Sequence, residues 1–289
     1  MKKLIKQAIF CGISGKMGRD SKYHFTVDFE KNDPENDAIQ FIKPYFKASQ
    51  LRGVNIYWFG YQFNGHLEKD YRDACIEYLK NVQVEPEIND ENMYDDIVIS
   101  DEGISNIDLY NMIERSMRGI NLDNLSVDTI IYPESTTNNL VYQIVDSIKT
   151  YLRDSIRLTT LAVKKANPAN ITIDIDRCMS DISSGRLDDN DGMITKSYLT
   201  DLQNKIRNLD QFSLRNDIHP ICLRRYVGNF IEFRDVNNAL ANADKVLIVD
   251  DFKTTGTTLS EIARIIRSYN NHCQIYVFTL LGNSRKALQ

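Results

Sequence analysis

Two adjacent carboxylates followed by a run of hydroxyl groups are the residues of this chain best suited to chemistry. Asp250 and Asp251 come directly after four apolar residues, 246–249, which predict a short strand buried on both faces. The residues that follow the carboxylates include Thr254, Thr255, Gly256, Thr257 and Thr258. A helical period then begins at Leu259, so the unit is predicted to be strand, polar loop and helix.

This loop could bind a phosphate group. Free backbone N–H groups at the start of a helix, the helix dipole and threonine hydroxyls all favour an anion, and Gly256 lets the backbone come close to it. The carboxylates would repel a phosphate, so we expect them to face vicinal hydroxyls or a hydrated cation. A ribose 5-phosphate offers a diol and a phosphate together. The alternative is an ordinary strand end and helix cap, where Asp, Thr and Gly are also common.

Residues 246–258 agree in order and spacing with one known pattern, and they resemble the phosphoribosyl-pyrophosphate (PRPP) motif of type I phosphoribosyltransferases. In that family the acidic pair binds the ribose hydroxyls and the loop binds the 5-phosphate. The resemblance implies that Asp250 and Asp251 are the catalytic pair. It implies a phosphate-binding role for Thr254, Thr255, Gly256, Thr257 and Thr258. It also implies Mg²⁺ as a cofactor carried by PRPP, without a separate metal site of the protein.

A second polar loop is predicted after a strand at residues 129–132 and before a helix with Leu140, Ile144 and Ile148 on its apolar side. In phosphoribosyltransferases the turn after the first core strand holds pyrophosphate, so the resemblance assigns that role to Ser135, Thr136 and Thr137. Glu134 departs from the usual basic or glycine-containing loop, because it adds negative charge. The alternative is a simple strand-to-helix cap.

The strand pattern predicts an α/β fold with a parallel five-stranded sheet of the phosphoribosyltransferase type, flanked by helices. The predicted strands are 129–132, 170–175, 229–234, 246–249 and 274–282. An insertion at about residues 176–228 is expected to form a hood over the substrate, as in the family. Its candidates for pyrophosphate contacts are Arg186, Lys196, Arg224 and Arg225, each of which could instead be a solvated surface charge.

The preceding residues, 1–126, predict an additional α+β region of unknown role, and residues 127–289 the phosphoribosyltransferase-like domain. The boundary is expected in the polar stretch 121–126. The stretch "FCGISGKMGRD" is similar to a dinucleotide-binding turn, but no helix is predicted after it, so we interpret it as a glycine-rich turn. The N-terminal region could mediate a homodimer or bind a partner protein.

The composition is that of an ordinary soluble protein: 289 residues, 42% hydrophobic, 26% charged, with a formal net charge of −5. This balance gives no reason to expect nucleic-acid or membrane binding, and we predict a cytoplasmic protein. The five cysteines and four histidines show no paired spacing, so neither zinc nor a Cys/His dyad is indicated.

The leading hypothesis is transfer of the phosphoribosyl group of Mg-PRPP to an unknown acceptor, with release of pyrophosphate. With no recognisable purine or pyrimidine specificity segment, the chain looks closest to competence-associated phosphoribosyltransferase-like proteins and to relatives in bacterial and phage conflict systems. A PRPP synthetase would need a duplicated domain, and the first half of the sequence shows no such repeat. A non-catalytic sensor that binds PRPP or a nucleotide is the other alternative, and Glu134 favours it.

Overall fold

The computed structural model of the chain describes most of its secondary structure. The described residues are 12–17, 23–28, 39–40, 42–51, 53–63, 69–83, 103–119, 126–134, 139–152, 158–189, 192–235, 238–253 and 256–282.

The described residues begin with five strands, after which helices and strands are interspersed. The strands are β1 (Gly12–Met17), β2 (Tyr23–Asp28), β3 (Ile39–Gln40), β4 (Ile42–Leu51), β5 (Val54–Phe63), β6 (Thr129–Pro133), β7 (Thr159–Lys165), β8 (Thr172–Ile173), β9 (Val227–Gly228), β10 (Ile231–Glu232), β11 (Lys245–Lys253) and β12 (Gln274–Gly282). The α-helices are α1 (Lys69–Lys80), α2 (Asn106–Gly119), α3 (Leu140–Tyr151), α4 (Ile175–Ser183), α5 (Lys196–Arg207), α6 (Leu214–Asp217) and α7 (Thr257–Tyr269). None of these described helices has both the length and the apolar character needed to cross a bilayer.

A seven-stranded sheet in the order β10-β7-β6-β11-β12-β5-β4 forms the centre of the molecule. Its five inner strands are parallel, and the edge strands β10 and β4 are antiparallel to their neighbours. The predicted α/β class with a mostly parallel sheet is confirmed, whereas the predicted count of five strands is wrong. The carboxyl ends of β6, β7 and β11 meet at one edge, where open α/β sheets bind ligands.

Three predicted strands are confirmed as β6, β11 and β12, and two are wrong as strands of the parallel sheet. Residues 172–173 pair with β9 outside this sheet, and only Ile231 and Glu232 of the stretch 229–234 join it, as the antiparallel edge. The strand that pairs with β6 is β7. Its first two and last two residues are exposed, so it lacks the continuous apolar run of β11.

The region before residue 126 supplies two strands of the same sheet. Strand β5 runs parallel to β12, and Gly60 lies so close to the Thr279 carbonyl oxygen that a Cβ atom would come within 1.9 Å of it. The Trp58 indole N–H donates to the Thr279 hydroxyl at 2.8 Å. The seven-stranded sheet therefore contains strands from both sides of the predicted boundary at 121–126. Of this boundary stretch, only Ser126 is among the described residues.

The predicted glycine-rich turn near residue 12 is also wrong where it is described, because Gly12–Met17 is strand β1. This strand pairs with β2 and β3 in a separate three-stranded sheet. The glycines of this stretch favoured a turn in the sequence, because glycine is common in turns, whereas in the structure the chain is extended and its antiparallel partner β2 begins six residues after β1 ends.

Strand β11 joins the two cores that cover the sheet. Leu247 and Val249 face the core formed with α2 and α3, while Val246 and Ile248 face the core formed with α7. The predicted hood together with its flanks, residues 171–230 and called the hood below, has a third apolar cluster of its own. Strand β11 is thus packed on both faces, which fixes the position of Asp250 and Asp251 near its carboxyl end.

Candidate functional site

A cleft of about 250 Å³ opens at the carboxyl edge of the sheet. Its walls come from β6, β7, β10, β11, the first turns of α3 and α7, and the hood. The lining residues are Pro133, Glu134, Val141, Val163, Lys164, Lys165, Phe212, Leu214, Phe230, Ile231, Asp250, Asp251 and Thr258. The structure therefore brings the predicted acidic pair, part of the phosphate loop and the hood to one place.

The acidic pair lies in largely apolar surroundings. Asp250 is 9% exposed and Asp251 is half-buried. An oxygen of Asp250 accepts the Asp251 N–H at 3.1 Å, and an oxygen of Asp251 accepts the Phe252 N–H at 2.6 Å. Burial, together with the adjacent Asp251 carboxylate, raises the pKa of Asp250 well above its ordinary value. Burial also raises the pKa of Asp251, an effect opposed by the Phe252 N–H and by the charge of Lys80.

Burial of the pair thus disfavours two negative charges on Asp250 and Asp251. Hydroxyl donors or a cation in the cleft would stabilise the charged carboxylates, because each oxygen that faces the cleft can accept further hydrogen bonds. Perturbed carboxylates in a cleft are typical of functional sites.

The phosphate loop is described from Gly256 onward, whereas Thr254 and Thr255 lie outside the described residues. Gly256 precedes helix α7 with φ 71°, a left-handed conformation that glycine adopts without strain. Its carbonyl accepts both the N–H and the hydroxyl of Ser260 at 2.9 Å. Thr257 is buried, and Thr258 is half-buried and lines the cleft. The amino end of a 13-residue helix therefore points its first-turn N–H groups toward this edge of the sheet.

Of the second predicted loop only the flanks are described, because Ser135, Thr136 and Thr137 lie outside the described residues. Glu134 lies on the cleft wall and its backbone N–H donates to the Val163 carbonyl at 2.8 Å. Glu134 is therefore held where β6 and β7 end side by side. The negative charge expected from Glu134 is present in the cleft.

Two lysines at the end of β7 are site residues that the sequence analysis missed. Lys164 and Lys165 are exposed at the rim of the cleft, and the Lys164 ammonium nitrogen lies 3.8 Å from a Glu134 oxygen. The two ammonium groups partly offset the negative charge of Glu134. The sequence shows two lysines directly after the apolar stretch "TTLAV". They indicate a basic group at the cleft only if that stretch is recognised as a strand of the parallel sheet.

The four basic residues proposed for the hood do not line the cleft. Arg186 pairs with Asp181 at 3.0 Å, and Lys196 lies 3.9 Å from a carboxylate of α4. Arg224 is buried and donates to backbone carbonyls of the hood, and the Arg225 guanidinium lies over a tyrosine ring. These contacts lie within the hood. Among the described residues that line the cleft, the basic ones are Lys164 and Lys165 of β7.

The hood instead contributes an apolar wall. Phe212 and Phe230 are both buried to more than nine tenths, and their ring centroids lie 6.4 Å apart in a tilted arrangement. Together with Leu214 they line the same cleft as the acidic pair. One cleft thus combines carboxylates, a helix amino end, two lysines and an aromatic surface.

The carboxylates fit a magnesium ion only in combination with a ligand. In the described part of the chain, no three His, Cys, Asp or Glu side chains come together as a metal-binding group. Mg²⁺ is commonly held by one or two carboxylates together with substrate phosphates. Asp250 and Asp251 could supply such oxygens to an ion that arrives with a pyrophosphate group.

A scan against models of protein families finds no match to this chain, and a search of the curated proteins finds none either.

Proposed function

We propose that this chain is a phosphoribosyltransferase-like protein that binds Mg-PRPP and transfers its phosphoribosyl group to an acceptor, with release of pyrophosphate. The observation that carries the proposal is the junction of β11 and α7. There Asp250, which is buried, and Asp251, which is half-buried, precede a left-handed glycine and a helix amino end by four intervening residues, all at the carboxyl edge of a parallel sheet.

The charges around the cleft support one orientation of the substrate. The 5-phosphate belongs at the first turn of α7, because backbone N–H groups and the helix dipole favour an anion there. The ribose hydroxyls belong at Asp250 and Asp251, which can accept hydrogen bonds from a diol. The pyrophosphate then extends toward Lys164 and Lys165, whose ammonium groups are exposed at the rim.

The reaction breaks the bond between C1 of the ribose and an oxygen of pyrophosphate. The electron pair of this bond stays on the oxygen and leaves with pyrophosphate. A nitrogen of the acceptor forms the new bond to C1 and then loses its proton. Positive charge develops on the ribose ring, and a carboxylate beside the ring stabilises it electrostatically. Bound Mg²⁺ would neutralise charge on the leaving pyrophosphate. Binding both reactants in one cleft also lowers the activation barrier, because it orients the acceptor nitrogen toward C1.

The apolar wall of the hood favours a planar acceptor. Phe212 and Phe230 offer ring surfaces against which a heterocyclic base can pack. Packing of the hood wall against the bound acceptor would also exclude water, which competes with the acceptor for C1.

The second candidate is a non-catalytic sensor of PRPP or a nucleotide, such as would act in a bacterial or phage conflict system. Glu134 supports it, because this carboxylate lies on the cleft wall beside Lys164 and opposes the binding of pyrophosphate. A sensor would retain the pocket and bind its ligand without turnover.

Incubation with PRPP, Mg²⁺ and a panel of free bases separates the two candidates. We expect pyrophosphate release that depends on one of the bases and is lost in Asp250→Asn/Asp251→Asn. Saturable binding of PRPP without pyrophosphate release from any mixture supports the sensor. Absence of binding by the unaltered chain contradicts both.

A further inference from the structure

Helix α7 carries a buried carboxylate that the proposed chemistry does not use. Glu261 has 0% of its surface exposed. One of its oxygens accepts the Asn229 backbone N–H at 2.8 Å and an Arg264 guanidinium N–H at 2.7 Å, and the other accepts the Arg264 Nε–H at 3.0 Å. The hydrogen bonds with Glu261 raise the pKa of Arg264. A carboxylate is buried at this depth only when partners of this kind satisfy it.

Asn229 is the hood residue whose backbone N–H donates to Glu261. It follows β9 with φ 58°, a left-handed conformation that a non-glycine residue keeps only where its surroundings hold it. Its side chain donates to the Thr172 hydroxyl at 3.3 Å and accepts an Arg264 N–H at 3.3 Å. Asn229 therefore ties the two-stranded sheet β8-β9 of the hood to helix α7.

The residue after Asn229 belongs to the apolar wall of the cleft. Phe230 packs in the hood cluster and lines the cleft, and its carbonyl accepts the Ala166 N–H at 3.0 Å. Because Phe230 directly follows Asn229 in the chain, we expect a shift of the Asn229 backbone to displace the Phe230 ring. Because the Phe212 ring packs in the same cluster, the displacement would extend along the wall.

Glu261 lies one helical turn after the phosphate end of α7. It lies four positions after Thr257, which corresponds to about 6 Å along the helix axis. One rigid helix thus carries the predicted phosphate site on its first turn and the attachment of the hood on its second. The relative position of phosphate and wall is set by this short piece of backbone.

We propose that Glu261, with Arg264 and Asn229, is a positioning group that holds the aromatic wall of the hood at a fixed distance from the phosphate end of α7. It controls how well a ring attached to ribose 5-phosphate binds, and it leaves the binding of the ribose 5-phosphate part unchanged. The inference rests on the proposed function, because it assigns the wall to a base and the helix end to a phosphate.

The first arm of the test needs no ligand. Hydrogen exchange of the backbone amides is compared between the unaltered chain, Glu261→Gln and Glu114→Gln. Glu114 is a matched control, since it accepts an arginine N–H at 2.7 Å on helix α2 away from the hood. We expect Glu261→Gln to accelerate exchange in residues 226–231 and 171–173 and to leave β6 and β11 protected. Glu114→Gln should change none of these segments.

The second arm compares two kinds of ligand on the same three proteins by calorimetry. Ribose 5-phosphate should bind Glu261→Gln within about twofold of the unaltered chain. Nucleoside 5′-monophosphates, tested as a panel of four bases, should lose about tenfold or more for the base that binds best, because stacking of a base on aromatic side chains accounts for that much affinity. If Glu261→Gln does not fold, Asn229→Gly replaces it. Glycine keeps the backbone donor and the left-handed conformation but removes both side-chain contacts.

Unchanged exchange in residues 226–231 overturns the positioning role, and so does an equal loss of affinity for both kinds of ligand. If the unaltered chain binds neither ligand, the proposed function fails. The attachment of the hood by Glu261 then stands or falls on the exchange result alone.

Discussion

Gly256→Val tests whether the amino end of α7 binds a phosphate. Gly256 has φ 71°, so a valine there must adopt a left-handed conformation that costs at least about 1–2 kcal/mol. Its side chain would also crowd an anion that approaches the first-turn N–H groups. Losing a phosphate held by several charge-assisted hydrogen bonds should cost on the order of 3 kcal/mol, which is roughly a hundredfold in affinity.

Gly53→Val is the matched control for that substitution. Gly53 has φ +80° and no heavy atom within 4 Å of a built Cβ, so valine brings similar backbone strain in open space. Both variants should lower the melting temperature by a few degrees. Only Gly256→Val should weaken ribose 5-phosphate binding in a calorimetric titration. Equal affinities of the two variants for ribose 5-phosphate, or an affinity of Gly256→Val equal to that of the unaltered chain, would refute the phosphate site.

Three further predictions concern the stability of the fold. Gly60→Ala should have a far lower melting temperature than Gly53→Ala, because a Cβ atom at position 60 would lie 1.9 Å from the Thr279 carbonyl oxygen. Similar melting curves of the two variants would contradict the β5–β12 contact. A fragment of residues 127–289 should fail to fold, since it lacks β4, β5 and the helix that packs on α3; a cooperative melt of the fragment would instead support a separate domain. Asp250→Asn/Asp251→Asn should raise the melting temperature at pH 7, because burial raises the pKa of both carboxyls and the folded state is destabilised as the pH rises above their ordinary value of 3.8. That gain should shrink as the pH falls toward 4, and a gain that is independent of pH would contradict the assignment of the pKa shifts.

The junction of β11 and α7 could be predicted from the sequence because its signals are local. A buried parallel strand appears as a continuous apolar run, and the helical period after Gly256 appears within one window. Strand β12 was predictable for the same reason, since eight of its nine residues are buried.

The rest of the site depends on contacts between distant parts of the chain. Strand β7 lies beside the short edge strand β10 and keeps exposed residues at both ends, so its apolar signal is weak and Lys164 and Lys165 were missed. The apolar residues at 171 and 173 belong to the core of the hood, which made them resemble a sheet strand. The pairing of β5 with β12 joins residues that are more than two hundred positions apart, and no local pattern indicates it. The same holds for the bond between Glu261 and Asn229.

The most direct test of the central claim is a calorimetric titration of Mg-PRPP and of ribose 5-phosphate into the unaltered chain and into Asp250→Asn/Asp251→Asn. Asp146→Asn, on the exposed face of α3, controls for the loss of a carboxylate elsewhere. The proposed function predicts saturable binding by the unaltered chain and by Asp146→Asn. It predicts at least about tenfold weaker binding by the double variant, because hydrogen bonds from the ribose hydroxyls to charged carboxylates are lost. Equal affinities for all three proteins, or no binding of either ligand by the unaltered chain, would contradict it.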